Sequence, residues 1–585
     1  MSFRKFGQTL ALTIAAIAGL TTNAMAFNID ESVEGFWWES AIQANRGWAL
    51  QYLPTGPEAG VVFISGYVYD DVGAPTWVVG VSGTVYDGEY EVDIPLLAFE
   101  GGEFGPGAGS PSSSSWGSVN IVFNTCNSAD FTFTGGADFS QSFDAFLNVV
   151  DPAGAGYDRC VYQEAFDGCP AFAQDLGNRA CGIGGTITQD VTLTNDTTWV
   201  LTSALFVGPR ADIGTPVPAN GPTLTIEAGT RIVGTSGGRT ALIVSRGSRI
   251  IAEGQPHAPI VMTGERWVGT GATAGDWGGL VINGAAPLNT CDAPPCEAVG
   301  EGDSGAYGGA DPDDSSGVLR YVRVQFAGDK VTDEDELNGI ALQGDGRGTV
   351  VEYIQVHRNA DDGIEFFGGT VNAKYVVLTD VQDDSLDWTQ GWQGKIQYGL
   401  IKQIQDPTVE TDRAFELDNL EQNNDALPRS GGKLANFTVL GKPGTLAINP
   451  RRGTGGNFSN FIVIGSANCL DIDSEATFAA AGPPGNLTGV LTFENTILNC
   501  ANNIVENDEG ADPWSVTEWF TGQPGNSFGN PNLDGPFPPA AAPYLSGFEL
   551  DPAVYDDFFD KVDWVGAFRS RDSAWHYGWT EFLGD

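Results

Sequence analysis

Two sets of carboxylates recur at matching places along this chain. The run Asp361-Asp362-Gly363-Ile364-Glu365-Phe366 returns 22 residues later as Asp383-Asp384-Ser385-Leu386-Asp387-Trp388, and again, after an insertion, as Asp412-Arg413-Ala414-Phe415-Glu416-Leu417. If these runs lie side by side as strands, Asp361, Asp383 and Asp412 form one column and Glu365, Asp387 and Glu416 another, with steps of ~4.8 Å. At that spacing, and an effective dielectric of ~20–80, like charges repel by ~1–3 kcal/mol per pair. A hard cation relieves this, and Ca²⁺ takes 6–8 oxygens in flexible geometry. The expected cofactor is therefore Ca²⁺, with those six residues as ligands. The plainer alternative is a row of solvated acids, with Arg413 pairing Asp362 and Asp384. The same carboxylates also have the makings of the acid and base of glycoside hydrolysis. Lys395, Arg413 and Arg451 are candidates to strip the proton alpha to a uronate carboxylate or to stabilise the resulting enolate. Trp388, Trp392 and Arg452 are candidates to hold a sugar chain. The structural alternative for Arg451-Arg452 is neutralisation of neighbouring acids.

Strands must position these groups. Alternation along a strand sends Ile364, Leu386, Phe415, Leu446 and Leu470 inward as one column, and Phe366, Trp388, Leu417, Ile448 and Ile472 as a second. Glu365, Asp387, Glu416, Ala447 and Asp471 then face outward, and the small residues Gly363, Ser385 and Ala414 are expected to floor a shallow groove. From about residue 182 onward the chain consists of short Val/Ile-rich runs divided by Gly, Asn and Asp. Leu224–Val233 recurs as Leu242–Ile251, an offset of 18. Units of about 20 residues cannot fold alone and are the sign of a solenoid. No Gly-free amphipathic stretch suits a helical repeat. The expectation is an all-β chain: a right-handed parallel β-helix over 200–545, a connector and cap over 166–199, and a capping segment over 546–585.

Residues 27–165 read differently, as a small antiparallel β-barrel or sandwich. Gly66–Gly73 followed by Pro75–Val79 is a hairpin signal. A Trp-filled core competes with sugar stacking at Trp37 or Trp77, and Gly101–Ser115, with Ser112–Ser115 in a row, is expected to be a flexible insertion.

Residues 1–26 have the form of a secretory signal peptide. Arg4 and Lys5 precede the apolar run Leu10–Leu20, and Ala24-Met25-Ala26 is a small-x-small cleavage site. The mature chain is therefore expected to start at Phe27 and to be exported to the periplasm, cell surface or medium. No later segment reaches the ~18–20 apolar residues of a membrane span. All eight cysteines follow the cleavage site, which suits disulfides in an oxidising compartment. Nearest-neighbour pairing gives Cys126–Cys160, Cys169–Cys181, Cys291–Cys296 and Cys469–Cys500. With 28 Lys+Arg against 75 Asp+Glu, the formal charge of −47 disfavours nucleic acid and anionic membranes as partners. Three histidines leave little for a transition-metal centre. His357 reads as a surface or edge histidine. Glu301, Asp303, Asp311, Asp313 and Asp314 read as a solvated Gly-rich loop with some likeness to a calcium loop, and Asp333–Glu336 as a solvated turn.

Several strings carry a resemblance. Gly275-Asp276-Trp277-Gly278-Gly279-Leu280, Gly317–Val322, Asp361–Gly369 and the closing Val562–Phe568 with Trp575 and Gly578-Trp579-Thr580 resemble secreted bacterial β-helix proteins of the pectate-lyase-like superfamily, mostly without assigned function. Phe36-Trp37-Trp38, Arg46–Leu50 and the Tyr69…Thr76-Trp77 hairpin resemble a Trp-rich β-domain that recurs in exported proteins of Gram-negative bacteria. The superfamily's lyases use calcium with an Arg or Lys base, yet their Trp-x-Asp-His and Arg-x-Pro-x-x-Arg strings are missing here. The expected function is binding of extended glycans, which a long solenoid face suits, with Ca²⁺ in an acidic groove. The alternatives are a Ca²⁺-dependent polysaccharide lyase or glycoside hydrolase, and a structural adhesin.

Overall fold

The computed structural model describes residues 29, 35–39, 47–56, 59–69, 75–86, 91–100, 112–125, 128–135, 140–147, 168–177 and 180–581 except 238, 257, 266–271, 333–334 and 508–509. The expected signal peptide and the Cys126–Cys160 pair lie outside the described residues.

Among the described residues the N-terminal part has nine strands: β1 (Gly35–Glu39), β2 (Gly47–Gly56), β3 (Ala59–Tyr69), β4 (Pro75–Val81), β5 (Val85–Tyr86), β6 (Glu91–Glu100), β7 (Ser112–Thr125), β8 (Ser128–Gly135) and β9 (Ser140–Leu147). Antiparallel pairing runs β1-β2-β3-β4-β6-β7-β8-β9 and returns to β1, with β5 added beside β3, so the sheet closes into a barrel. Period-2 patterning fills it: Val92, Ile94, Leu96 and Ala98 of β6 point inward with Ile64, Ile121 and Phe131. Trp48 stacks on Phe133 inside, with ring centroids 4.6 Å apart. Trp77 sits on the outside instead, 39% exposed. The side chain of Trp37 lies outside the described residues. Ser112–Ser115 are not part of a loose insertion. They pair with Leu97–Glu100 as the start of β7, because the edge of β6 supplies their backbone partners.

From Ala180 the strands pair in parallel, each with a strand one coil away, which makes a parallel β-helix. The stack thus starts within the span expected to be a connector. The offset-18 echo does not mark the coil: Leu224 stacks on Ile250, while Leu242 stacks on Leu205 and Leu280. The two strings are alike because every strand and Gly turn within a coil draws on the same residues. The 22-residue echo does mark it, with Ile364, Leu386 and Phe415 in one column and Phe366, Trp388 and Leu417 in another. Beyond Leu417 the expected register slips by two. Phe415 pairs with Ile448 and Leu417 with Pro450, so Asn449, not Ala447, continues the outward column. A longer loop between these coils lets the strand shift while keeping its apolar face inward.

The other long strands bend once per coil. Tyr321, Tyr353, Tyr375 and Tyr398 adopt left-handed φ of 50° to 67°, and Asn436 and Asn460 continue the series at 60°. That conformation is costly for a bulky residue. Here the rings stack coil on coil at 4.3, 4.3 and 4.9 Å, which offsets part of the cost. Trp575 and Trp579 of the C-terminal segment pack against this ladder edge-on. Three cysteine pairs form as expected: Cys169–Cys181, Cys291–Cys296 and Cys469–Cys500.

Candidate functional site

One outward column of the β-helix changes character along its length. Ile243, Val281 and Ala341 come first, followed by Glu365, Asp387, Glu416 and Asn449. The segment 284–316, inserted between two strands of the stack, covers the apolar part. Its Leu288, Cys296 and Tyr307 pack on Ile243, Val281, Ala341 and Phe367. The acids begin where that cover ends.

The acids divide into an inner and an outer group. Asp362, Glu365 and Asp387 are all buried, and one carboxylate oxygen of each lies within 4.8 Å of the others. Opposite ligands of one Ca²⁺ stand about 4.6–5.2 Å apart, so this span fits a single ion. Asp361 and Asp383 with Asp362, and Asp383 with Asp384 and Asp412, make two similar groups nearer the solvent. The six expected ligands are therefore brought together along one edge, but not as one set. Sequence reasoning placed Asp362 and Asp384 outside the site as possible partners of Arg413. The doubled Asp-Asp of the first two repeats is the signal that points to them.

Arginines hold only one end of this row. Arg413 bonds Asp412 and lies 2.8 Å from Glu416, and its backbone N–H donates to Asp384 at 2.7 Å. Arg451 bonds Glu416 and Asp418, and Arg452 reaches Asp418 at 2.7 Å and Glu421 at 3.2 Å. Asp362 is met instead by the Asp384 backbone N–H, at 3.0 Å. The Asn338 amide donates to Glu365 at 2.8 Å. Asp387 Oδ1 is buried and has no hydrogen-bond partner.

The protonation energetics follow. Burial, then the charge of Asp387, pushes both Asp362 and Glu365 well above the carboxylate range. Burial, then Glu416 and Asp418, does the same to Asp387. Asp361 is pushed up to about 7 by burial and by Asp383. Buried like charges this close keep protons unless a cation replaces them.

Other expected residues fall elsewhere. Trp388 and Trp392 are fully buried in the coil core, where Trp392 stacks on Phe366 at 4.3 Å. They offer no face to a sugar, because their column points inward. Lys395 lies on a different face, bonded to Asp556 of the C-terminal segment at 2.5 Å. Gly363, Ser385 and Ala414 floor no open groove. All three are buried, and a Cβ at Gly363 would come 2.5 Å from the Ser385 carbonyl of the next coil. His357 is buried rather than at an edge, with its Nδ1 2.9 Å from Thr379 Oγ1 and its pKa lowered by burial to about 3. The 301–314 acids do not gather as a calcium loop: Asp303 bonds Arg210, Asp313 bonds Arg347, and Asp314 accepts the Ala285 N–H at 3.1 Å. Of the acidic turn, Asp333 and Glu334 lie outside the described residues, and Glu336 bonds Lys330.

The family model of the pectate-lyase-like β-helix domain matches residues 185–531. The chain belongs to that family. No curated protein matches it. Among solved structures, a GH87 α-1,3-glucanase catalytic domain in complex with tetrasaccharides is 11% identical, with 82% of this chain and 92% of that one covered at a TM-score of 0.29. The same kind of domain in complex with nigerose is 11% identical, with 86% and 96% covered and a TM-score of 0.26. A thermostable GH87 catalytic unit from Streptomyces thermodiastaticus strain HF3-3 is 10% identical, with 84% and 96% covered and a TM-score of 0.21. At these scores the overlap extends to neither ligand nor activity. Among the described residues of this β-helix protein, no helix is long and apolar enough to cross a membrane.

Proposed function

We propose that this β-helix protein is exported, holds Ca²⁺ on its acidic coil face, and uses that face to bind an extended glycan. One observation carries the reading: three buried carboxylates converge within 4.8 Å, and one of their oxygens has no partner. An unpaired buried charge costs several kcal/mol, and a divalent cation coordinated by oxygens removes that cost. A solenoid face built of repeating coils suits a chain of repeating sugars. The three disulfides agree with an oxidising compartment.

Glycoside hydrolysis is a second reading, favoured by the closeness of Glu365 and Asp387 and by the upward push on both. Without a cation, two buried carboxyls this close resist ionising together, which suits the division of roles between an acid and a base. The lyase reading has less to stand on. Lys395 is on another face, and Arg413 and Arg451 are both engaged by carboxylates.

The test is calorimetric titration of Ca²⁺ into metal-free protein, combined with a polysaccharide-binding screen in calcium and in chelator that also reads reducing ends. Saturable calcium binding lost in Asp387→Asn, together with chelator-sensitive retention of a polysaccharide, is the expected result. Reducing ends released in chelator point to hydrolysis instead. Neither heat nor retention leaves a surface protein without this activity, and the proposal fails.

A further inference from the structure

The segment 284–316 does more than cover apolar residues. Its hairpin pairs Ala298–Gly300 with Gly305–Tyr307, and the turn between them carries Glu301 to the edge of the acid face. Gly302 takes a φ of 61° there and is seated so tightly that a Cβ would come 2.6 Å from Leu337. The two N–H groups of the single Asn338 amide are shared: Glu301 accepts at 2.9 Å and Glu365 at 2.8 Å. Two carboxylates from different parts of the chain are therefore no farther apart than those two bonds laid end to end. Asn338 is fully buried, and its Oδ1 has no partner, as is true of Asp387 Oδ1 two coils on. Two buried oxygens without partners, one of them an amide that belongs to no acidic cluster, thus stand on the coils either side of Glu365.

Docking the hairpin thus brings a fourth carboxylate to the inner group. Without a cation this is opposed by charge repulsion, which the apolar contacts of Tyr307, Leu288 and Cys296 and the polar anchors at Asp303, Ser304, Ala306 and Tyr307 must outweigh. With a cation the repulsion weakens, because its two positive charges offset two of the three carboxylates that Glu301 approaches.

We propose that the 298–307 hairpin is a cation-latched flap: an ion held by Asp362, Glu365 and Asp387 draws in Glu301 through the Asn338 bridge, and chelation loosens the hairpin and bares the upstream part of the same face. This rests on the metal reading above and adds to it a regulated boundary for the glycan face. Linkage requires the effect to be mutual: the factor by which the ion favours docking is the factor by which docking favours the ion.

The experiment is hydrogen exchange across 298–307 in full-length wild type and in Glu301→Gln, with calcium and with chelator, beside calorimetric calcium titration of both proteins. The glutamine keeps shape and hydrogen bonding but loses charge. In wild type, calcium should slow exchange in the hairpin while leaving the Val191–Leu193 coil region unchanged. In Glu301→Gln that calcium effect on the hairpin should disappear, and calcium should bind about fivefold or more weakly, the low end of ordinary coupling between sites. Wild type that binds calcium with unaltered hairpin exchange overturns the flap but not the metal site. A variant that binds calcium as tightly as wild type does the same. No calcium binding to wild type overturns both.

Discussion

Two outward faces of the same coils solve the same problem in opposite ways. On both, the parallel stack places like residue above like. On the face crossed by the C-terminal segment, a series of polar steps has counterparts from that segment. Gln355 both donates to the Glu581 carbonyl and accepts its N–H, and Gln397 does so with Asp560. Asn436 and Asn460 donate to the carbonyls of Trp564 and Phe548. Lys374 and Lys395 meet Asp560 and Asp556 at 2.9 and 2.5 Å, with the Phe558 ring beneath both. On the acid face, carboxylate stands above carboxylate, and Asp387 Oδ1 meets nothing. The chain itself completes one ladder, whereas the proposed reading has a cation complete the other.

The comparison needs a scale, and the largest expected effect lies on neither face. Cys469 and Cys500 tie neighbouring coils across 31 residues. Replacing both with alanine should cost ~3–4 kcal/mol in the chain-entropy account, read as a shift in denaturant midpoint. A loss below ~1 kcal/mol would mean that the coils hold register without the staple.

The next test sets the two faces against each other. Gln397→Ala leaves both the N–H and the C=O of Asp560 without partners inside a covered face, at ~2–4 kcal/mol. Asp387→Asn should act in the opposite direction in chelator, raising stability by ~1–3 kcal/mol, because it removes a carboxyl whose charged form burial, Glu416 and Asp418 disfavour more than Arg451 favours it. In calcium the same substitution should remove most of the ion's stabilisation. Melting temperatures of the two variants, with and without chelator, decide it. Two losses of equal sign in chelator would make the acid face as self-sufficient as the covered one.

How far the sequence carries this contrast depends on loop length. The 22-residue coils keep Ile364 over Leu386 and Glu365 over Asp387, so the acidic column is legible from period alone. Loops of unequal length break that period after Leu417, and Asn449 goes unseen because Ala447 fits the pattern equally well. Glu301 and Asn338 stand far upstream, and only the closing of the solenoid brings them to Glu365. Trp388 and Trp392 look like sugar platforms in a string of letters, yet an aromatic on the inward register can only be core. The covered face is the least legible. Gln355 and Gln397 carry no motif, and their partners are backbone groups up to 226 residues away, reached only through the tertiary fold.

The pH response sharpens the contrast further. Asp361, with its pKa pushed up to about 7, binds its proton more tightly folded than unfolded. Its contribution to stability is therefore complete below the ordinary carboxylate range and is lost as pH rises through about 7. Metal-free protein should melt at lower temperature at pH 8 than at pH 5.5 by an amount that Asp361→Asn reduces, and calcium should narrow the difference in wild type by replacing the proton. A pH slope unchanged in the variant would return Asp361 to the solvent.

The smallest effect should come from Asp412, and its smallness is the point. Asp412 shares a column with Asp361 and Asp383, and sequence alone gives the three equal weight. In the fold its side chain is 52% exposed and paired with Arg413. An exposed pair of this kind contributes ~0–1 kcal/mol, screened further by salt. Asp412→Asn should therefore shift stability by less than about 1 kcal/mol, with or without calcium, and should leave the calcium affinity within about a factor of three of wild type, since 1.4 kcal/mol is tenfold. Asp387 and Asp412 are then separated by burial alone, two carboxylates of one repeat with unequal claims on the ion. If Asp412→Asn weakened calcium binding as much as Asp387→Asn, the ion would sit at the solvent edge between Asp383, Asp384 and Asp412, and the inner oxygens would need another partner.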